Sequence, residues 1–193
     1  MAGEGRTKSA VFLDRDGTII RQVESLHKPE QVKLLPGAAE AIRLLNEAGL
    51  FVSVATNQPV VARGISGPED VCSIHEIISS RLRRWGAHID AFYFCPHHPN
   101  ATVEEYRQIC ECRKPRPGMI LQAASDHNLD LSSSVMIGDT TQDIFAGFQA
   151  GVSTILVETG HAGRDPWQYD CKPTFTAPDL LGAAELWLGK GKQ

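Results

Sequence analysis

The sequence lacks a long apolar run. No stretch approaches the ~20 residues that a helix needs to cross a bilayer. Met1 to Lys8 are polar and glycine-containing, without the apolar segment of a secretory leader. Neither sign of charge is in excess. The 19 Lys and Arg stand against 23 Asp and Glu, a net charge of -4, so no basic stripe offers itself to a nucleic-acid backbone or an anionic membrane. Internal repeats, low-complexity tracts and Pro/Gly/Ser linkers are missing too. Together these absences point to a cytoplasmic chain without nucleic-acid or membrane partners; a monomer is the default expectation, though the sequence does not fix the oligomeric state. Cysteine is sparse, at five residues. In a reducing compartment these five read as metal ligands, core residues or reactive thiols before they read as disulfides.

What is present is an alternation of short apolar runs and helical stretches. Ala10 to Leu13, Phe51 to Ala55, Ala91 to Phe94, Val135 to Ile137 and Thr154 to Val157 suit strands buried on both faces, and Phe175 marks a sixth. Between them lie helical stretches over Gly37 to Ala48, about Ser66 to Trp85, Gly118 to His127, Thr141 to Ala150 and Leu180 to Leu188. Ser66 and Glu69 read as a capping box for the second of these. Cys95 to Lys114 reads as irregular. This alternation predicts an α/β fold: one doubly wound parallel sheet over residues 1–193, helices on both faces, strand order 3-2-1-4-5 and no large cap domain.

Asp14-Arg15-Asp16-Gly17-Thr18 directly follows the first strand. Residues two apart in extended backbone face the same side, so Asp14 and Asp16 project together beyond the strand's carboxyl end. Open parallel sheets bind ligands there. Two adjacent carboxylates repel, and a hard cation between them resolves the conflict. Gly138-Asp139-Thr140-Thr141-Gln142-Asp143 follows the fourth strand in the same manner. The first and fourth strands are neighbours in the expected order, which sets Asp139 across from Asp14 and Asp16 around a single metal. Thr56-Asn57-Gln58 at the second strand's end offers a hydroxyl and amides, and Lys114 offers a cation for phosphoryl oxygens.

A second cluster lies between the third strand and Lys114. Cys95, His97, Cys110 and Cys112 have the spacing C-x-H-x12-C-x-C. Three thiolates and one imidazole make a closed tetrahedral zinc set. His98 is the competing ligand; His97 has the same offset from Cys95 that Cys112 has from Cys110. Cys72 and Cys171 stand alone and read as core or incidental residues.

These motifs resemble those of the haloacid dehalogenase superfamily of phosphotransferases, through Asp14-Arg15-Asp16-Gly17-Thr18, Thr56-Asn57, Lys114, and Gly138-Asp139 with Asp143. The resemblance implies a magnesium-dependent phosphatase. Asp14 would take the phosphoryl group as an aspartyl phosphate, and Asp16 would protonate the leaving oxygen and then deprotonate water. Magnesium would be bound by Asp14, the Asp16 carbonyl and Asp139, with Asp143 in support, while Thr56 and Lys114 would stabilise the transferring group. Cys95-Pro96-His97-His98-Pro99, Val103 to Gln108, Cys110 to Pro115 and Ala62-Arg63-Gly64 are similar to the superfamily's zinc-loop phosphatases, which act on heptose bisphosphates or histidinol phosphate.

By that resemblance zinc is structural, in a loop over about 95–114. The substrate would be a sugar phosphate, D-glycero-D-manno-heptose 1,7-bisphosphate, which loses its C7 phosphate. Histidinol phosphate or another small phosphomonoester is the alternative, and a catalytically inactive zinc-containing binding module is the alternative outside enzymes. Expected substrate contacts are Asp16, Gln22, Ser25, Thr56, Asn57, Gln58, Arg113 and Lys114. The chain departs from the heptose pattern at Ile20, Glu24, Ser25, Pro59 and Thr140. These departures leave the chemistry intact and bear on the substrate. Glu24 beside a bisphosphate would repel it unless it points away.

Overall fold

The computed structural model describes residues 7–166 and 168–190; Met1 to Arg6 and the end of the chain after Lys190 lie outside the described residues. Six parallel strands form one sheet in the order β3-β2-β1-β4-β5-β6. They are β1 Lys8–Leu13, β2 Phe51–Asn57, β3 Ala91–Cys95, β4 Leu129–Gly138, β5 Ser153–Val157 and β6 Phe175–Ala177. The helices are α1 Ala38–Glu47, α2 Pro59–Ala62, α3 Pro68–Arg83, α4 Gly118–His127, α5 Thr141–Ala150 and α6 Leu180–Lys190.

The apolar runs are continuous because both sheet faces are covered. Val11, Leu13, Val52, Val54, Val135 and Ile137 point to one face, under Ile42 and Leu45 of α1, Ile74, Ile78 and Leu82 of α3, and Ala183 of α6. Ala10, Phe12 and Met136 point to the other, under Ile120 and Ala123 of α4 and Ala146 and Ala150 of α5. Alternate residues of one strand thus serve two cores.

Two expectations about elements are corrected. The box that opens α3 uses Gly67 and Asp70, not Ser66 and Glu69: Gly67 N donates to Asp70 Oδ2 at 3.0 Å. Pro68 lacks an N–H and suits the first helical position, which makes Gly67 the cap. Strand β4 begins at Leu129, well before Val135. Leu129 and Asp130 pair with Lys8 and Ser9 of β1, and after a register shift between Ser9 and Val11 pairing resumes at Val135. Of the lone cysteines, Cys72 is exposed on α3 and Cys171 half-buried. Among the described residues no helix is long and apolar enough to cross a membrane.

Candidate active site

The carboxyl ends of β1, β2 and β4 converge on a cleft of about 450 Å3. Asp14 leaves β1 with its N–H still bonded to Ile137 O of β4, at 2.9 Å. Asp139 follows β4, and Asp143 sits in the first turn of α5. Carboxylate oxygens of Asp14, Asp139 and Asp143 lie within 4.8 Å of one another. Close approach of the backbone makes this possible. Gly17 (φ 85°) and Gly160 (φ 58°) both border Asp139, and a methyl group at either would collide with its carboxylate. Gly138 likewise leaves room for Asp143.

Lys114 is the counter-charge. Its Nζ lies 2.7 Å from Asp14 Oδ1 and 2.5 Å from Asp143 Oδ1. Asn57 fixes the lysine's backbone at two points, donating to Lys114 O and accepting from Lys114 N, each at 3.0 Å. Asp143 Oδ2 accepts from Thr140 N at 3.0 Å and from the Thr140 hydroxyl at 2.6 Å, closing the cap of α5. Asp139 Oδ2 accepts from His161 N at 2.7 Å, whereas its Oδ1 is buried without a hydrogen-bond partner.

Burial pushes the Asp14 carboxyl up to about 6; Lys114 opposes the rise, and Asp143 and Asp16 add to it. Burial, with the charges of Asp14 and Asp143, pushes Asp139 up to about 8. Burial alone would lower the Lys114 ammonium, but the charges of Asp14 and Asp143 outweigh it and raise it. A buried carboxylate triad with one orphaned oxygen and one lysine is short of positive charge. A hard divalent cation with oxygen ligands fits that deficit.

The residues expected to meet substrate do line the cleft: Asp16, Gln22, Ser25, Thr56, Asn57, Gln58, Arg113 and Lys114. They are not equally free. The amide of Gln58 donates to Asp16 Oδ2 and to Thr56 Oγ1, both at 2.9 Å, and accepts from Arg15 at 2.7 Å. Asn57 is engaged by Lys114 and by Gln142 Oε1 at 3.2 Å. Arg113 Nη1 donates to His97 O at 3.0 Å, and its remaining N–H groups make no hydrogen bond among the described residues. The cleft also holds Arg63, Gln142 and His161, which sequence reasoning did not select. Gln142 lies inside the Gly138-to-Asp143 motif, and Arg63 just beyond Thr56-Asn57-Gln58, so position could have found both. His161 has no such signal.

The thiol cluster abuts this site. Strand β3 ends at Cys95, which pairs in register with Asn57, and Gln58 N donates to Cys95 O at 2.8 Å. Cys112 Sγ lies 3.2 Å from Cys95 Sγ, 3.2 Å from Cys110 Sγ and 3.4 Å from His97 Nδ1. Cys95 Sγ is 3.5 Å from Cys110 Sγ and 3.7 Å from His97 Nδ1. Ligands ~2.3 Å from a tetrahedral zinc stand ~3.8 Å apart, so the four donors are gathered slightly inside the spacing such an ion would set. His97 is the imidazole turned to the thiols. His98 Nδ1 instead accepts from Asn100 N at 3.1 Å.

A doubly wound sheet with paired carboxylates, a threonine–asparagine turn and a buried lysine at three strand ends defines a phosphatase of the haloacid dehalogenase type. The chain matches the HAD-hydrolase-like family over residues 111–183. It is 40% identical over 188 residues to the D-glycero-D-manno-heptose-1,7-bisphosphate 7-phosphatase of Thermosynechococcus vestitus, covering 94% of this chain and 95% of that one. The D-glycero-beta-D-manno-heptose-1,7-bisphosphate 7-phosphatase of Yersinia pestis is 41% identical over 152 residues, covering 78% of this chain and 81% of that one. The crystal structure of the D,D-heptose 1,7-bisphosphate phosphatase of B. bronchiseptica, complexed with magnesium and phosphate, superposes with a TM-score of 0.83 at 33% identity, covering 94% of this chain and 99% of that one. The chain belongs to this family of heptose bisphosphate phosphatases within the haloacid dehalogenase superfamily, and is a phosphoric monoester hydrolase.

Proposed function

We propose that the protein removes the C7 phosphate of D-glycero-D-manno-heptose 1,7-bisphosphate through an aspartyl phosphate on Asp14. One observation carries the reading: Lys114 is locked between Asp14 and Asp143, while Arg113 and Arg63 line the same cleft with N–H groups to spare. One cation is committed to the reacting phosphoryl group, and two are left for a second phosphate. Guanidinium forks suit that task through paired charge-assisted hydrogen bonds.

The Asp14 carboxylate attacks phosphorus as the bond to the C7 oxygen breaks, and Asp16 gives that oxygen its proton. Water then loses a proton to Asp16 and attacks phosphorus, releasing phosphate and restoring Asp14. Lys114 and the Thr56 hydroxyl hold the equatorial oxygens. Asp14, Asp139 and the Asp16 carbonyl would hold magnesium, with Asp143 in support, and the ion would supply charge neutralisation at the phosphoryl group. Zinc on Cys95, His97, Cys110 and Cys112 is the structural ion of our reading, and the whole chain acts as one domain.

Glu24 also lines the cleft, which favours a second reading, a cationic phosphomonoester such as histidinol phosphate. One experiment separates the two: kcat/KM for heptose 1,7-bisphosphate, heptose 7-phosphate and histidinol phosphate, with wild type beside Arg113→Ala. The bisphosphate is expected to lead. Arg113→Ala should lose about tenfold to a hundredfold of that preference and spare small aryl phosphates, as befits a lost charge-assisted contact. Equal or faster turnover of histidinol phosphate would reverse the assignment.

A further inference from the structure

His75 is a buried imidazole on α3 that no motif at the strand ends accounts for. Its ring stacks on Phe92 with centroids 4.5 Å apart at 17°, and meets Phe94 edge-on at 5.8 Å and 70°. Its Nε2 lies 3.4 Å from Arg15 Nη1. Arg15 is itself only 1% exposed, and its guanidinium is held on three sides. Nη2 donates to Gln58 Oε1 at 2.7 Å and lies 2.8 Å from Asp16 Oδ2, and Nε donates to that same oxygen at 3.0 Å. Gln58 Nε2 supplies Asp16 Oδ2 with a further donor at 2.9 Å. Asp16 Oδ1, by contrast, is buried and has no hydrogen-bond partner.

The two oxygens of Asp16 are therefore not equivalent. Oδ2 takes the donors of Arg15 and Gln58, and Oδ1 takes none. Arginine stays a cation and can only donate, so the imidazole nitrogen facing it must accept, which fixes His75 as neutral with its proton on Nδ1. Burial and the Arg15 charge agree, pushing the His75 pKa down to about 3.

We propose that His75 is a positioning residue: through Arg15, which with Gln58 grips Asp16 Oδ2, it holds the Asp16 carboxyl in the orientation from which it delivers and recovers the catalytic proton. The inference rests on Asp16 being the general acid and base. In the first step the Asp16 carboxyl transfers its proton to the leaving oxygen as the oxygen–phosphorus bond breaks. In the second, the carboxylate takes a proton from water as the water oxygen bonds phosphorus and the bond from Asp14 to phosphorus breaks.

A defect in general acid placement discriminates between leaving groups. An alkoxide must be protonated as it leaves, whereas 4-nitrophenolate departs well without help. The test compares kcat and KM for an alkyl phosphate and for 4-nitrophenyl phosphate in wild type, His75→Phe, His75→Gln, Phe92→Leu and Asp16→Asn. His75→Phe keeps a ring on Phe92 and loses the acceptor. It should lower kcat/KM, which reports the steps up to leaving-group departure, about tenfold for the alkyl phosphate and less than about threefold for 4-nitrophenyl phosphate; kcat also contains hydrolysis of the aspartyl phosphate, which is common to both substrates. His75→Gln restores an acceptor and should recover most of the alkyl phosphate rate. Equal losses of kcat/KM on both substrates in His75→Phe, or no loss on either, would overturn the proposal. If that variant does not fold, Phe92→Leu, which frees the imidazole from its stacking partner, should show the same selectivity in weaker form, and equal losses there would overturn it as well. Asp16→Asn separates the two levels. If it shows no leaving-group selectivity, the general acid reading itself fails. If it is selective while the His75 and Phe92 variants are not, only the positioning role fails.

Discussion

Asp14 and Asp139 show what this fold does to single residues. Both carboxyls are raised, to about 6 and about 8, chiefly by burial. A carboxyl whose folded pKa is raised stabilises the fold fully below its unfolded value near ~4, and that contribution is lost as pH rises through the folded value. In the metal-free protein these two groups therefore erode stability between about pH 4 and pH 8. A divalent cation needs both of them ionised, so its affinity rises across the same interval and its binding releases protons. The expected outcome is that the rise in melting temperature on adding magnesium grows from pH 5.5 through pH 7 to pH 8. A rise of equal size at all three would count against Asp14 and Asp139 as the ligands.

At the scale of elements, the segment from Cys95 to Lys114 has little regular structure beyond a single short turn over Glu104–Tyr106, yet it carries the lysine that pairs with Asp14 and Asp143. Four donors gathered around one point, with Asn57 clamping Lys114 at the far end, substitute for the hydrogen-bond ladder that an ordinary element would supply. Cys110→Ser should release the metal we assign to zinc, lower the melting temperature and cut activity on every substrate alike, because structural zinc contributes folding free energy directly. Elemental analysis of wild type should find about one zinc per chain. This segment was legible because its information is local: cysteines and histidine at short spacings declare a metal set without reference to the fold. The same holds for Asp14, Asp16 and Asp139, which sit in turns directly after apolar runs. The long start of β4 was not legible. Ser132, Ser133 and Ser134 all donate to Asp130, and these polar side chains with local bonds fill the irregularity between the Asp130 and Val135 pairings, which hides the strand in the sequence. His75 was hidden for a different reason, since Arg15 lies 60 residues away in sequence and no local pattern marks the pair.

For the whole molecule, the central strand carries the greatest stake. Phe12 of β1 is fully buried and packs with Ile120 and Met136 in the core under α4 and α5. Phe12→Ala should cost about 3–5 kcal/mol from lost transfer energy and the cavity left behind. Against a total of roughly 5–15 kcal/mol that is a large share. Urea unfolding should show a lower midpoint at an unchanged slope, and a shift below about 1 kcal/mol would mean that the sheet closes over the gap. Strand order, by contrast, was legible: alternate apolar and helical stretches under a right-handed crossover rule leave few arrangements, and β6 extends the expected order at its open edge.

Lys114 stands two residues beyond Cys112, with its peptide group pinned by Asn57. The ammonium that neutralises Asp14 is thus mounted on a thiol-built support. Two unrelated kinds of poison can reach the same atom. On the proposed magnesium site, withdrawal of the ion should disarm the cleft directly, and returning it should restore the rate at once. A thiol oxidant, or a soft ion such as cadmium, never needs to enter the cleft. If zinc fills the thiol cluster as proposed, such an agent should loosen the mount and let the amine drift from its two carboxylates, and inhibition of that kind should develop slowly, survive the return of magnesium, and yield only to a reductant with fresh zinc.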